Sequence, residues 1–214
     1  KQNDVAIRAL AKVCAKRPNV QMAFVGEINP ANHFDEYLNS LIEKYDLSKN
    51  VRITGFVSRE IMQKYYVACD VIVNLRYPSF GQMSATLSRG IATGKPAIIT
   101  DLPDWDFFPE DFCWRVDPKD VNGNQLAEQL IRLIDNPKIL KERSLAARRY
   151  FVENGSTQKA AENLFRIVKD IVQNAPKDIE VEPYLLEKIT ISERIANAFR
   201  RWDNSRSGED RHIR

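Results

Sequence analysis

Residues 69–84 read Cys69-Asp70-Val71-Ile72-Val73-Asn74-Leu75-Arg76-Tyr77-Pro78-Ser79-Phe80-Gly81-Gln82-Met83-Ser84, and the chain continues through Leu87-Ser88-Arg89-Gly90-Ile91-Ala92-Thr93-Gly94-Lys95-Pro96 to Ala97-Ile98-Ile99-Thr100. Val71-Ile72-Val73 is a short apolar run, the pattern of a strand buried on both faces. Pro78 and Gly81 shape a loop after it. Met83, Leu87 and Ile91 recur every four residues, which predicts a helix over 83–93 with these three on one face. Gly94-Lys95-Pro96 breaks that helix, and Ala97 to Thr100 is a second buried run. Strand, loop, helix, turn and strand in this order make the repeating unit of a parallel sheet covered by helices.

The same alternation extends in both directions. Upstream, Val5, Ala6, Ala9, Leu10 and Val13 recur at helical spacing until Arg17-Pro18-Asn19 interrupts them. Val20 to Val25 reads as a strand ending at Gly26. A helix over 32–45 follows, with Leu38, Leu41, Ile42 and Tyr45 inward. Val51 to Thr54 is a strand ending at Gly55. Ser58 is placed to cap a helix bearing Ile61, Met62, Tyr65 and Tyr66. Downstream, Phe112 to Val116 is a further strand. From about Asn124 the pattern is helical only, with one stripe at Leu126, Leu130, Ile131 and Ile134. A second stripe, at Ala161, Leu164, Phe165, Val168 and Val172, follows a break at Gly155-Ser156. The expected architecture is a doubly wound parallel sheet with helices on both faces, followed by C-terminal helices.

This organisation predicts one nucleotide-binding-type domain over residues 1–175, a linker over 176–188, an amphipathic helix over 189–203 and a disordered tail over 204–214. The linker holds Pro176 and Pro183. Thr190-Ile191-Ser192-Glu193 has a capping-box pattern. The helix it opens carries Ile191, Ile195, Ala198, Phe199 and Trp202 on one side. A doubly wound domain ordinarily opens with a strand, whereas here a helix comes first. That order and the unpartnered 191–202 face are expected of a piece of a longer polypeptide that lacks its first strand.

Composition narrows the function classes. The chain has 214 residues, is 43% hydrophobic and 29% charged, and has a formal net charge of +3. This is a globular profile with no demand for a nucleic-acid partner. Its longest apolar run is about five residues, against roughly 20 for a membrane span. Cys14, Cys69 and Cys113 are odd in number and widely spaced, which argues against a disulfide framework or a zinc site and suits a reduced, cytoplasmic compartment. His33 and His212 are the two histidines, so no histidine-based triad is expected, and no metal. Lys138, Lys141, Arg143, Arg148 and Arg149 form a basic cluster. It reads first as a solvated face and second as a peripheral contact with an anionic membrane surface.

In an open parallel sheet, ligands bind beyond the carboxyl ends of the strands. The residues there are Gly26-Glu27, then Gly55-Phe56-Val57-Ser58, then the long stretch from Asn74 to Ser84, then Asp101-Leu102-Pro103-Asp104. The third stretch feeds a helix start, whose free N–H groups suit a diphosphate. Ser79 and Ser84 offer hydroxyls, and Arg76 and Lys1 offer charge. Asp104-Trp105-Asp106 has the letters of an acidic metal motif but follows a buried strand in a loop, and it reads as surface.

The segments 74–84 and 87–99 together resemble the signature of the family 4, or group 1, glycosyltransferases. Lys1 with Ile7-Arg8-Ala9-Leu10, Phe24-Val25-Gly26-Glu27, Val51 to Ser58 and Cys69 to Val73 are similar to other ordered segments of that family, over about residues 1–173. The resemblance implies a GT-B fold, in which two Rossmann-like domains face a cleft, and makes this chain the C-terminal, donor-binding one. It implies retaining transfer from a nucleotide diphosphate sugar, with no metal cofactor. Lys1 would neutralise the diphosphate together with an arginine upstream. Gly26, Glu27, Gly55, Phe56 and Val57 would line the donor, the last three at its base. Arg76 and Ser79 to Ser84 would cradle phosphates and sugar, with Met83 and Ser84 donating backbone N–H groups.

One departure is evident. The family places a Glu, seven residues and a second Glu in this signature. Here the first falls at Gly81 or Gln82 and the second at Arg89. A similar subgroup has Gly-Glu-Thr-Ser and then Arg, against which Arg89 is regular and Gln82 is the exception. An amide lacks the charge with which a carboxylate meets an oxocarbenium-like centre. Two readings therefore stand. One is a glycosyltransferase of cell-surface polysaccharide biosynthesis, inactive without its N-terminal domain and meeting a lipid-linked acceptor at the inner membrane face. The other is a degenerate nucleotide-sugar-binding or assembly module of the same fold. A non-hydrolysing sugar-nucleotide epimerase ranks below both, because the chain supplies few acid–base groups.

Overall fold

The computed structural model describes residues 1–27, 34–79, 81 and 83–174. The elements run α1 (Asn3–Cys14), β1 (Met22–Phe24), α2 (Phe34–Lys44), β2 (Val51–Ile53), α3 (Arg59–Ala68), β3 (Ile72–Asn74), α4 (Ala85–Ala92), β4 (Ala97–Thr100), β5 (Cys113–Val116), α5 (Asn124–Ile134), α6 (Pro137–Tyr150) and α7 (Thr157–Asn174). One unit spans Lys1–Asn163, and a second begins at Leu164. The linker, the 191–202 helix, the tail, His33, Phe80 and Gln82 lie outside the described residues.

Every described strand pairing is parallel. The strands form two ladders, β1–β2 and β3–β4–β5. Side chains alternate across β3–β5 as the doubly wound reading requires. Ile98, Trp114, Val116 and Leu75 pack with Val5, Ala9, Val13, Leu126 and Leu130 of α1 and α5. Ile72, Ala97, Ile99 and Cys113 point the other way, into a cluster with Tyr66, Leu87, Ile91 and Ala147 of α3, α4 and α6. Two-residue periodicity thus sends successive side chains to helices on opposite faces. Met22 and Phe24 of β1 pack against the first cluster together with Val71 and Val73, so the two ladders share a helical cover. Ile7 and Leu10 with Leu38, Leu41, Ile42 and Leu47 build a third cluster over β1 and β2.

Two glycines set the helix positions. A Cβ on Gly123 would stand 2.6 Å from the Val5 carbonyl oxygen, so the start of α5 meets α1 backbone to backbone. A Cβ on Gly90 would stand 2.6 Å from Ile72 Cγ1, so α4 lies directly on β3.

Two expectations are corrected. The helix after β3 starts at Ala85, not Met83, because the Ser84 hydroxyl accepts from Leu87 N and caps it. Met83 falls before the cap and is 58% exposed, rather than sharing the buried face of Leu87 and Ile91. Asp104-Trp105-Asp106 is not wholly surface: Pro103–Trp105 forms a 3-10 turn, and Trp105 is fully buried. The indole supplies too much apolar area to leave in water. In α7 the expected stripe is present, and among the described residues Leu164, Phe165, Val168 and Val172 are exposed. No described helix is long and apolar enough to cross a membrane.

Candidate functional site at the strand ends

The carboxyl end of β3 carries the densest polar construction. Asn74, the last residue of the strand, is buried, and its Nδ2 donates to Ser84 Oγ at 2.8 Å. Arg76 Nη2 donates to the same oxygen at 3.2 Å, and Leu87 N at 3.3 Å. A hydroxyl oxygen has two lone pairs. Three donors on Ser84 exceed them, so one donor is in surplus. Asn74 Oδ1 and Arg76 Nε are also buried without a hydrogen-bond partner among the described residues. Arg76 is tied at its backbone as well, its N–H donating to Thr100 Oγ1 of β4 at 2.8 Å.

The electrostatics point one way. The first intrahelical bond of α4 is Ser88 N to Ser84 O. The amides of Ala85 and Thr86 therefore have no intrahelical acceptor, and the helix end carries partial positive charge. The Arg76 guanidinium sits against that end. Two positive groups over one capped helix start are mutually unfavourable until an anion joins them, and phosphate oxygens satisfy both.

The loop between them is pinned. Ser79 Oγ donates to Asp104 Oδ2 at 2.7 Å and accepts from Gly81 N at 3.4 Å. Gly81 has φ +72°, the left-handed region, and among the described residues nothing lies within 4 Å of where its Cβ would be. The Tyr77–Pro78 peptide is cis. Gln2 N donates to Leu75 O at 3.4 Å, so the start of α1, preceded by Lys1, lies beside this same strand end.

A second group sits beyond β1 and β2. Gly26 and Gly55 form an isolated antiparallel bridge. Gly26 N donates to Thr54 Oγ1 at 3.2 Å. Both glycines have positive φ, and among the described residues nothing lies within 4 Å of either Cβ position. A turned glycine backbone that no described residue covers admits a flat ligand close to the main chain. Phe56 follows and is 83% exposed. Glu27 is exposed, and Val57 is partly covered.

The structure thus brings together Arg76, Ser79, Gly81 and Ser84, with Lys1 beside the same strand end, and it joins Gly26 with Gly55. Arg89 is not among them. It is exposed in the last turn of α4, where a cation complements the helix dipole. Sequence reading places Asn74 and Asp104 among the strand-end residues but gives neither a role; the structure does, through Ser84 and Ser79. In the basic cluster, Arg143 stacks 4.0 Å from the Trp114 ring centroid, and Arg148 donates to Ala92 O at 2.5 Å. Those two serve packing.

The sequence profile described as glycosyl transferases group 1 matches residues 1–158. The chain resembles the C-terminal domain of the group 1 glycosyl transferase LpcC from Francisella tularensis, at TM-score 0.64 and 20% identity, over 73% of this chain and 80% of that one. It resembles a glycosyltransferase from Rickettsia africae at TM-score 0.63 and 22% identity, over 80% of this chain and 44% of that one. It also resembles Anabaena Alr3699/HepE, solved with UDP, at TM-score 0.62 and 17% identity, over 76% of this chain and 44% of that one. The chain therefore spans under half the length of the last two. At these identities the structural likeness establishes the fold alone. None of the curated proteins compared with the chain matches it.

Proposed function

The chain belongs to the group 1 glycosyltransferases, and from that membership we propose that it is the donor-binding half of an enzyme that transfers a hexose from a nucleotide diphosphate sugar with retention. The carrying observation is the surplus of donors at the start of α4, where Asn74, Arg76 and Leu87 compete for the one Ser84 hydroxyl. That surplus, the open amides of Ala85 and Thr86 and the nearby Lys1 suit a diphosphate. The glycine bridge and exposed Phe56 suit the base. HepE, of the same fold, was solved with UDP and with UDP-glucose, which supports a nucleotide sugar as the ligand class.

In this reading the diphosphate leaving group is met by guanidinium, ammonium and backbone dipoles, and no metal is required. The acceptor and the remaining catalytic groups come from an N-terminal domain facing the strand ends. The setting we propose is cell-surface polysaccharide synthesis, cytoplasmic and peripheral to the inner face of a membrane carrying the acceptor.

Calorimetric titration of the chain with UDP, GDP and ADP tests this. Saturable binding of one of them, lost in Ser84→Pro, is the expected result. Absence of binding to all three, in the chain and in a longer protein containing it, removes the reading. A second reading, the degenerate module, is favoured by the neutral Gln82. It predicts nucleotide-sugar binding without turnover in that longer protein.

A further inference from the structure

The proposed ligand has two unlike ends. Its diphosphate calls for cations and N–H donors, whereas its sugar presents hydroxyls, which a carboxylate accepts best. Arg76, Ser84 and the α4 amides meet the first demand. The second meets a candidate at Asp104, which reaches the same loop from the neighbouring strand. Asn74 and Ile99 are register partners in β3 and β4, so the segments that leave the two strands run side by side. Ser79 Oγ donates across them to Asp104 Oδ2 at 2.7 Å.

An exposed aspartate on a surface loop ordinarily does little, but this one is held from both sides. Trp105, the next residue, is anchored in the core. Arg115 of β5 donates to Asp106 Oδ1 at 2.7 Å and to the carbonyls of Trp105 and Phe108 at 3.2 and 3.0 Å, and it lies 3.7 Å from Asp101. The guanidinium thus grips the flanks of Asp104 and engages the two neighbouring carboxylates. Among the described residues no cation lies within 4.0 Å of Asp104 itself; a hydroxyl meets it instead. A fixed backbone presenting a carboxylate that no cation neutralises is the arrangement a polyhydroxy ligand requires.

We propose that Asp104 is the residue of this chain that recognises the donor sugar, accepting hydrogen bonds from its hydroxyls while Ser79 orients it. The proposal rests on the reading of the site as a nucleotide-sugar site, and it assigns the sugar end to a different side chain from those at the diphosphate.

The test compares bare nucleotides with their sugar conjugates: UDP with UDP-glucose, GDP with GDP-mannose and ADP with ADP-glucose. Each is titrated into the full chain, Asp104→Asn and Ser79→Ala. For the base that binds, Asp104→Asn should weaken the sugar conjugate about tenfold and change the bare nucleotide less than about twofold, with an unchanged melting temperature because the side chain is exposed. Ser79→Ala should shift the same ratio in the same direction by a smaller factor. If Asp104→Asn weakens both ligands equally, or neither, the sugar assignment is overturned while the nucleotide site stands. If no nucleotide binds either the unaltered chain or a longer protein containing it, the underlying reading fails and the assignment falls with it.

Discussion

Gly90 of α4 and Ile72 of β3 approach so closely that a single added methyl on the glycine would stand 2.6 Å from Ile72 Cγ1 and 3.1 Å from Cδ1. Helix and strand are therefore locked at a separation that fixes where the start of α4 points. Gly90→Ala should lose about 1–3 kcal/mol by overpacking. In a combined Ile72→Ala/Gly90→Ala variant the costs should add to less than their sum. Thermal or urea unfolding of the three variants measures this, and strict additivity would count against the contact.

Ser84→Ala removes a helix cap, at about 1 kcal/mol, and strands the buried Asn74 amide, at about 1–3 kcal/mol more. The melting temperature should fall accordingly, by about 2–4 °C for each kcal/mol in a domain of this size. A loss no larger than that of an ordinary surface substitution would mean the three-donor cluster is not formed.

Arg76 separates stability from binding. Its guanidinium faces a positive helix end and leaves Nε buried without a partner among the described residues. Arg76→Ala should thus leave the unliganded chain as stable as before, or more so, while nucleoside diphosphate affinity falls at least about tenfold. Arg76→Lys keeps the charge but loses the planar fork and should bind between the two. Paired melting and calorimetry resolve these outcomes, and a variant that loses stability but keeps its affinity would contradict the role.

Cys113, the first residue of β5, is buried in the cluster with Leu87, Ile91 and Ala147, and that burial pushes its thiol up from 9.0 to about 12. The folded thiol keeps its proton where the unfolded one sheds it. Its contribution is intact below about pH 9 and is lost as pH rises toward about 12. Urea midpoints measured from pH 8 to 11 should fall, and the fall should be shallower in Cys113→Ala. At pH 8, alkylation of Cys113 should wait for unfolding.

Much of the fold was legible because its strands are short apolar runs set between periodic helices. The limits of β4 and the capping role of Ser58 follow from local sequence alone. The start of α4 was misjudged by two residues. Met83 continues the four-residue spacing of Leu87 and Ile91, and spacing cannot register that a serine hydroxyl turns back on Leu87 N. Trp105 was hidden inside acidic letters, and its burial depends on the core it meets rather than on its neighbours in sequence. The candidate site was legible in Arg76, Ser79, Gly81 and Ser84, which follow one strand. The roles of Asn74 and Asp104 were not, since their partners lie 10 and 25 positions away.

The oxygen of Ser84 closes a helix and also stands where phosphate is expected. A descendant of this chain that abandoned transfer altogether would still be selected to keep Ser84, because without it the domain melts sooner. Persistence of that serine across relatives is therefore silent about catalysis. Arg76, whose loss should cost the resting domain nothing, is the informative position: a lineage that relinquishes the ligand has no structural reason to keep it.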